Sequence, residues 1–238
     1  MRKAQIIGLA LLGVLVVVTV AYFAVPSILN GPVCGGTPYN AKTSGGVVDE
    51  LGKELYNLTY TQNGVQQTGL YYSWMSGSLS WIKSNAPPNA VFVNWWDYGK
   101  EIIGCTGRGS VISNPSARFI ALGYTKNVTE RDSELSLTDV GTALFTTNAT
   151  LSQSIAAKYA AGYLLVTTED GGEKAPYILQ YLGLKPSDYT IANSTTFVAS
   201  NWTTLGQQTT IYRLLNGESV SGFTQVYSDA YVKIFSIG

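Results

Sequence analysis

The stretch SWIKSNAPPNAVFVNWWDYG, residues 80–99, decides the fold class. It continues a spacing begun upstream, where Tyr71, Met75, Leu79 and Ile82 recur at four, four and three positions. That is the period of a helix and predicts one over 70–84. Pro87 and Pro88 stop it, because proline lacks the N–H donor and clashes with the preceding turn. Residues 90–94, AVFVN, are the short apolar run of a buried strand. Helix, proline stop and strand form one unit of a mixed sheet. The strand carries Trp95 to its carboxyl end, the usual place for a site in such a fold.

Downstream, Leu151, Ile155, Ala156 and Tyr159 predict another helix, with Asn148 or Thr147 as its N-cap. Residues 163–167, YLLVT, read as a second buried strand. The polar EDGGE at 169–173 then leads into a helix bearing Ile178, Leu179 and Leu182. After Pro186 the pattern changes. Residues 209–215, 224–227 and 231–237 alternate or run apolar between turn residues and predict strands. Nearer the start, Val47, Val48, Leu51 and Leu55 predict a short amphipathic helix. The Gln/Thr-rich 59–69 reads as a loop, as does the acidic 127–139. No internal repeat is visible. The expected class is α+β: a mixed α/β exported domain with a β-rich C-terminal part, behind one N-terminal transmembrane helix.

The export reading rests on the first residues and on composition. Residues 4–25 carry no charge and only Thr19 as a hydroxyl. At 1.5 Å per residue they span roughly 33 Å, against a bilayer core of about 30 Å. Arg2 and Lys3 precede them and nothing basic follows until Lys42, which places the N-terminus in the cytoplasm. The run is longer than the apolar region of a cleaved signal peptide and ends in aromatics, which favours an uncleaved signal anchor in the cell membrane. Residues 1–3 are then a cytoplasmic tip, 4–25 the anchor, 26–69 a juxtamembrane linker with a short helix, and 70–238 the extracytoplasmic domain. Charged side chains make up only 13% of the chain, while 45 of 238 residues are Ser or Thr. That composition suits an outward-facing surface.

Five N-x-Ser/Thr sequons agree with it, at Asn57, Asn127, Asn148, Asn193 and Asn201. So does the cysteine pair, Cys34 and Cys105, which lies wholly on the exported side, where a disulfide persists. Several function classes are excluded. With no histidine, imidazole catalysis and His-ligated metals are absent. Two distant cysteines cannot make a four-thiolate zinc site and form no CxxC. A net charge of zero gives nucleic-acid binding no footprint. Glu130, Asp132, Glu134 and Asp139 match no calcium loop and read as solvated. No metal and no cofactor are expected.

The most informative string is Trp95-Trp96-Asp97-Tyr98-Gly99. Two indoles supply apolar walls and two N–H donors, Asp97 an ionised acceptor, and Gly99 close backbone approach. Such a group suits a small hydroxyl-bearing moiety; equally, the indoles can pack under the sheet while Asp97 caps the next helix.

With its surroundings, this string resembles the soluble C-terminal domain of the catalytic subunit of oligosaccharyltransferase, the membrane enzyme that attaches lipid-linked glycans to N-x-Ser/Thr sequons. The likeness includes residues 80–94, 158–166 and 231–235 and covers roughly 70–238. It implies that Trp95, Trp96 and Asp97 bind the Ser or Thr hydroxyl of an acceptor sequon. A second family motif has an Asp, a Lys three residues on and an apolar residue four after that. Asp170, Lys174 and Ile178 stand in its place, with the first interval one residue longer. Lys174 and Ile178 keep helical i, i+4 spacing and are expected on one face. The family usually continues its pentapeptide with aromatic or apolar residues, whereas Lys100-Glu101 follows here. Its reaction centre uses metal-bound carboxylates in loops of a many-helix membrane domain, and no such machinery is readable in this sequence.

The expectation is therefore a single-pass membrane-anchored domain, not catalytic alone, accessory to N-glycosylation or sequon binding. Its partners would be membrane lipid through 4–25, sequon-containing peptides, and a multi-span membrane protein or surface complex. The alternative is a structural or accessory subunit of a membrane or cell-surface assembly that reuses the fold with an idle pocket.

Overall fold

The computed structural model describes residues 55–113 and 135–238. The anchor at 4–25, the helix expected from Val47, and Cys34 and Asn127 lie outside the described residues. No helix within them is long and apolar enough to cross a membrane.

The chain is described first as an antiparallel hairpin, β1 (Leu55–Gln62) and β2 (Val65–Tyr72). This corrects the loop expected at 59–69 and replaces the start of the helix expected from residue 70. The turn is Asn63-Gly64, both at positive φ (52° and 77°), the backbone that a two-residue hairpin connection requires. Leu55, Leu58 and Tyr71 turn inward while Thr59, Thr61 and Gln66 face out. The polar side chains that suggested a loop are the solvent face of a half-buried ribbon. Lys100, a departure from the family string, donates from Nζ to Thr68 O at 2.9 Å and ties the hairpin to the body.

A 3₁₀ turn, Ser73–Met75, leads into α1 (Ser76–Asn85), which buries Leu79 and Ile82 and ends where expected, before the proline pair. β3 (Val91–Val93) and β4 (Gly109–Ser110) pair in parallel. α2 (Leu135–Phe145) buries Leu137, Val140 and Leu144 and so corrects the far end of the loop expected over 127–139. Asp139 sits in that helix, paired with Lys158 at 2.6 Å. α3 (Ala149–Lys158) follows. Asn148 is its N-cap, with Oδ1 accepting from Thr150 N (3.0 Å) and Leu151 N (3.4 Å). Asn148→Ala removes both acceptances and is expected to cost about 1 kcal/mol of unfolding free energy, read from the midpoint of urea denaturation.

β5 (Tyr163–Thr167) pairs in parallel with β3, matching Phe92 to Tyr163 and Val93 to Leu164. α4 (Ala175–Tyr181) follows it. Residues 210–215, expected as strand, form α5 (Thr210–Leu215), capped by Thr209 accepting from Tyr212 N. Five of its six members, Thr210, Ile211, Tyr212, Leu214 and Leu215, are buried, so the helix is covered on most sides and its period is unreadable. β6 (Phe223–Ser228) and β7 (Val232–Ile237) close the sheet as an antiparallel pair, β7 lying against β5. The five-stranded order is β4-β3-β5-β7-β6. Its three parallel members give a mixed α/β fold with an antiparallel C-terminal edge, as expected. Phe92, Val93, Leu164, Leu165, Val232 and Ile234 are the sheet's buried layer, covered by Leu79, Ile82, Leu144 and Leu179 of the helices.

Candidate functional site

β3 and β5 are adjacent and parallel, so the segments leaving their carboxyl ends lie side by side. Past β3, the buried Asn94 holds its neighbours, donating from Nδ2 to Trp95 O (2.8 Å) and accepting from Ser110 Oγ (2.8 Å). The chain then winds through a 3₁₀ turn, Trp96–Tyr98, and a continuing helical turn to Thr106. Gly99 is required there, since a Cβ would fall on Ile112 O of the following segment. Cys105, buried in the last part of this turn, is the described half of the expected disulfide.

Past β5, residues 168–174 form a tight turn in which Gly172 N and Lys174 N both donate to Glu169 O, at 3.0 Å each. This turn delivers Lys174 to the first segment. Its ammonium lies 2.9 Å from Asp97 Oδ2 and 2.8 Å from Glu169 Oε2, and donates to Tyr98 Oη at 2.6 Å. It also sits 4.3 Å from the centroid of the Tyr98 ring, a cation–π distance. Tyr98 Oη in turn donates to Glu169 Oε2 at 3.0 Å and lies 2.9 Å from Thr167 Oγ1. One buried cation thus ties both segments together.

Carboxylates outnumber cations around it. Glu101 and Asp170 are fully buried and Glu169 nearly so. Among the described residues, Glu101 Oε2, Glu169 Oε1 and Asp170 Oδ1 find no hydrogen-bond partner. Burial pushes the Glu101 carboxyl well above the usual range, against its hydrogen bond from Tyr72 N. Burial also pushes Asp170 up to about 7, although Lys174 and the N–H of Thr167 pull the other way. For Lys174, burial works against the charge, but Asp97, Tyr98, Glu169 and Asp170 together hold its pKa well above that of an ordinary lysine. The Tyr98 hydroxyl is pushed well above its usual value, burial first and Asp170 second. Among the described residues no group of three metal-ligating side chains is assembled.

Next to this network opens a cavity of about 910 Å³. One wall is Trp95, Trp96, Asp97 and Lys174; another is Asn193, Ser194 and Thr195; Tyr72 and Tyr177 also line it. Four of the five site residues singled out from sequence therefore come together. Ile178 does not join them. It is fully buried, in van der Waals reach of Gly141 in α2, and the cavity is lined instead by Pro176 and Tyr177 of its helix. Lys174 is the N-cap of α4 and its carbonyl accepts from Ile178 N at 3.0 Å, yet its ammonium turns to Asp97 and Glu169 while the Ile178 side chain packs into the core. Asp170 is an interior acid two bonds' reach from the network, not a cavity wall. Of the sequons, Asn57 and Asn148 are exposed away from the cavity, Asn193 is exposed on its rim, and Asn201 is partly buried beside the buried Trp202. Sequence reasoning passed over Tyr72, Tyr98, Glu101, Glu169 and the 193–195 segment. Only Glu169 gave a signal: an acidic residue directly after a buried strand.

Comparison with protein-family models and with curated protein sequences finds no match. Among solved structures, the chain is similar to the C-terminal globular domain of an oligosaccharyltransferase from Archaeoglobus fulgidus, at TM-score 0.49 and 20% identity over 68% of this chain and 95% of that one. It is similar to the archaeal oligosaccharyltransferase of the same organism in complex with an inhibitory peptide and a dolichol-phosphate, at TM-score 0.47 and 16% identity over 64% of this chain and 22% of that one. A third is the Archaeoglobus fulgidus enzyme tethered through a disulfide to an acceptor peptide containing an NVT sequon, at TM-score 0.48 and 14% identity over 64% and 23%. Against the complete enzymes the chain thus spans less than a quarter of their length. In fold, the chain is similar to the C-terminal globular domain of archaeal oligosaccharyltransferase.

Proposed function

We propose that the chain is a membrane-anchored, extracytoplasmic domain that binds hydroxyl-bearing acceptor peptides of the N-x-Ser/Thr type and is accessory to N-glycosylation rather than catalytic alone. The observation that carries this reading is the state of Asp97. Its Oδ2 is held 2.9 Å from the Lys174 ammonium, and the side chain is 16% exposed on the cavity wall. A carboxyl side chain fixed in this way beside two indoles on a cavity wall can accept from an O–H donor. Lys174 has its three donors committed to Asp97, Glu169 and Tyr98, so it positions Asp97 rather than touching the ligand. Resemblance to the oligosaccharyltransferase string assigns the same hydroxyl to Trp95, Trp96 and Asp97. Anchoring by residues 4–25, an extracytoplasmic location and a Cys34–Cys105 disulfide belong to the same proposal, supported by apolar length, flanking charge and the absence of a free thiol among the described residues.

The test is titration of the full chain in nanodiscs with an N-x-Thr peptide and its N-x-Val counterpart. Thr is expected to bind about tenfold more tightly, the worth of one charge-assisted hydrogen bond. Asp97→Asn is expected to reduce that ratio to about one. Equal affinities for both peptides in the unaltered chain would favour the reading as a structural subunit with an idle pocket.

A further inference from the structure

The wall of the cavity opposite Asp97 has a property that its side chains do not explain. Residues 191–201 form a loop closed at its base by antiparallel pairing, with Ile191 N donating to Asn201 O at 2.7 Å and Thr203 N to Tyr189 O at 2.9 Å. Phe197 plugs the loop into the body, its ring 5.4 Å from that of Tyr212 and 6.1 Å from that of Trp202. Between these fixed points, the N–H groups of Asn193, Ser194, Thr195 and Thr196 donate to no backbone or side-chain acceptor among the described residues. The carbonyls of Asn193, Ser194 and Thr195 accept from none. The one bond inside the segment is Ser194 Oγ to Thr196 O, 2.6 Å. Main-chain groups in folded proteins are almost always paired or solvated. A run of unpaired ones, held at both ends and facing a cavity, is a template for another backbone.

Gly172 sets where this wall stands. A Cβ at that position would lie 2.6 Å from Thr196 C and 2.7 Å from Thr195 O, so the loop's main chain rests directly on the turn that delivers Lys174. The unpaired segment and the Asp97 wall are thereby two sides of one cavity rather than separate surfaces.

We propose that residues 193–195 are the second wall of a peptide groove, which holds an acceptor peptide by main-chain hydrogen bonds while Asp97 reads its hydroxyl, and that Gly172, on which Thr195 and Thr196 rest, is the positioning residue for that wall. This rests on the peptide-binding reading above and adds to it the class of contact and the residues that make it. Affinity then comes from the backbone of the ligand and is indifferent to most of its side chains. Discrimination of Thr from Val comes from Asp97 alone.

Two measurements on the full chain in nanodiscs test this. First, a short N-x-Thr peptide is N-methylated one residue at a time. Main-chain pairing makes one or two positions sensitive, alternating along the peptide, with a loss of about tenfold each. A scan in which no position changes affinity by more than about threefold overturns the groove, whatever Thr–Val discrimination shows. Second, Gly172→Ala displaces the loop. It is expected to weaken N-x-Thr and N-x-Val peptides by the same factor of about ten, leaving their ratio unchanged, whereas Asp97→Asn removes the ratio. Should Gly172→Ala fail to fold, the N-methyl scan on the unaltered protein still decides. A sensitive, alternating scan without Thr–Val discrimination would keep the groove and overturn the hydroxyl reading; absence of any peptide binding overturns both.

Discussion

Lys174→Met is expected to lower the unfolding free energy by about 3–5 kcal/mol, the cost of removing one partner from a buried ion pair. Methionine nearly matches the lysine stem in volume, so the loss is electrostatic rather than a cavity effect. The ammonium is 14% exposed and serves Asp97, Glu169 and Tyr98 at once. Without it, Glu169, with 1% side-chain exposure and Oε1 already unpartnered, is a buried charge beside the fully buried Glu101 and Asp170. Adding Glu169→Gln to Lys174→Met takes away the stranded charge, while the amide oxygen still accepts from Tyr98. The double variant is expected to recover more than half of the loss, and a double-mutant cycle in urea should show strong coupling between positions 169 and 174. A single-variant loss under about 1 kcal/mol would instead mean that Lys174 behaves as a solvated surface cation.

This centre shows where sequence reading stops. β3, β5 and the helices around them were legible because continuous apolar runs and 3.6-residue spacings are local, and the proline pair at 87–88 and Asn148 punctuate them. The hairpin at 55–72 was not, because its buried Leu55, Leu58 and Tyr71 follow no two-residue period among the Gln and Thr, although Asn63-Gly64 was a hairpin signal in plain view. The 210–215 helix was lost because burial on most sides erases the period. Trp95, Trp96, Asp97 and Lys174 were named from a motif and converge. Their convergence needs β3 and β5 to be neighbours, which is a long-range fact. Ile178 keeps the helical bond to Lys174 but points into the core rather than the cavity, because a four-residue spacing does not say which face of the helix the body covers. Residues 193–195 were read as a sequon and not as a cavity wall, since an irregular loop has no period and its place beside Asp97 is a long-range fact. Glu101, which looked like a departure from the family string, turns out to be interior, accepting from Tyr72 N at the root of the hairpin.

The interior acids make the stability of this protein depend on pH in an unusual direction, and Asp170 gives the cleanest reading. Its carboxyl is pushed up to about 7 in the folded protein by burial, against about 3.9 for a free aspartate. The native state therefore binds this proton more tightly than the unfolded chain. The stabilisation is fully present below about pH 4 and is lost as pH rises through about 7. A gap of about three units bounds the loss at about 4 kcal/mol. Asp170→Asn isolates it. The amide oxygen can still accept from Thr167 N, as Oδ2 does now at 3.0 Å, and no charge remains to be buried. Every other titrating group around it, Asp97, Glu169, Lys174 and Tyr98, is common to both proteins and cancels to first order in the comparison. Whatever offset the amide introduces at pH 4, the variant is expected to gain on the unaltered protein by about 2–4 kcal/mol between pH 4 and 8 and to level off above that. Urea denaturation of both proteins at half-unit pH intervals measures the difference directly. A difference that stays flat from pH 5 to 8 would show that Asp170 is ionised throughout, with Lys174 overcoming its burial. A rising difference places a protonated acid next to the buried lysine at mildly acidic pH.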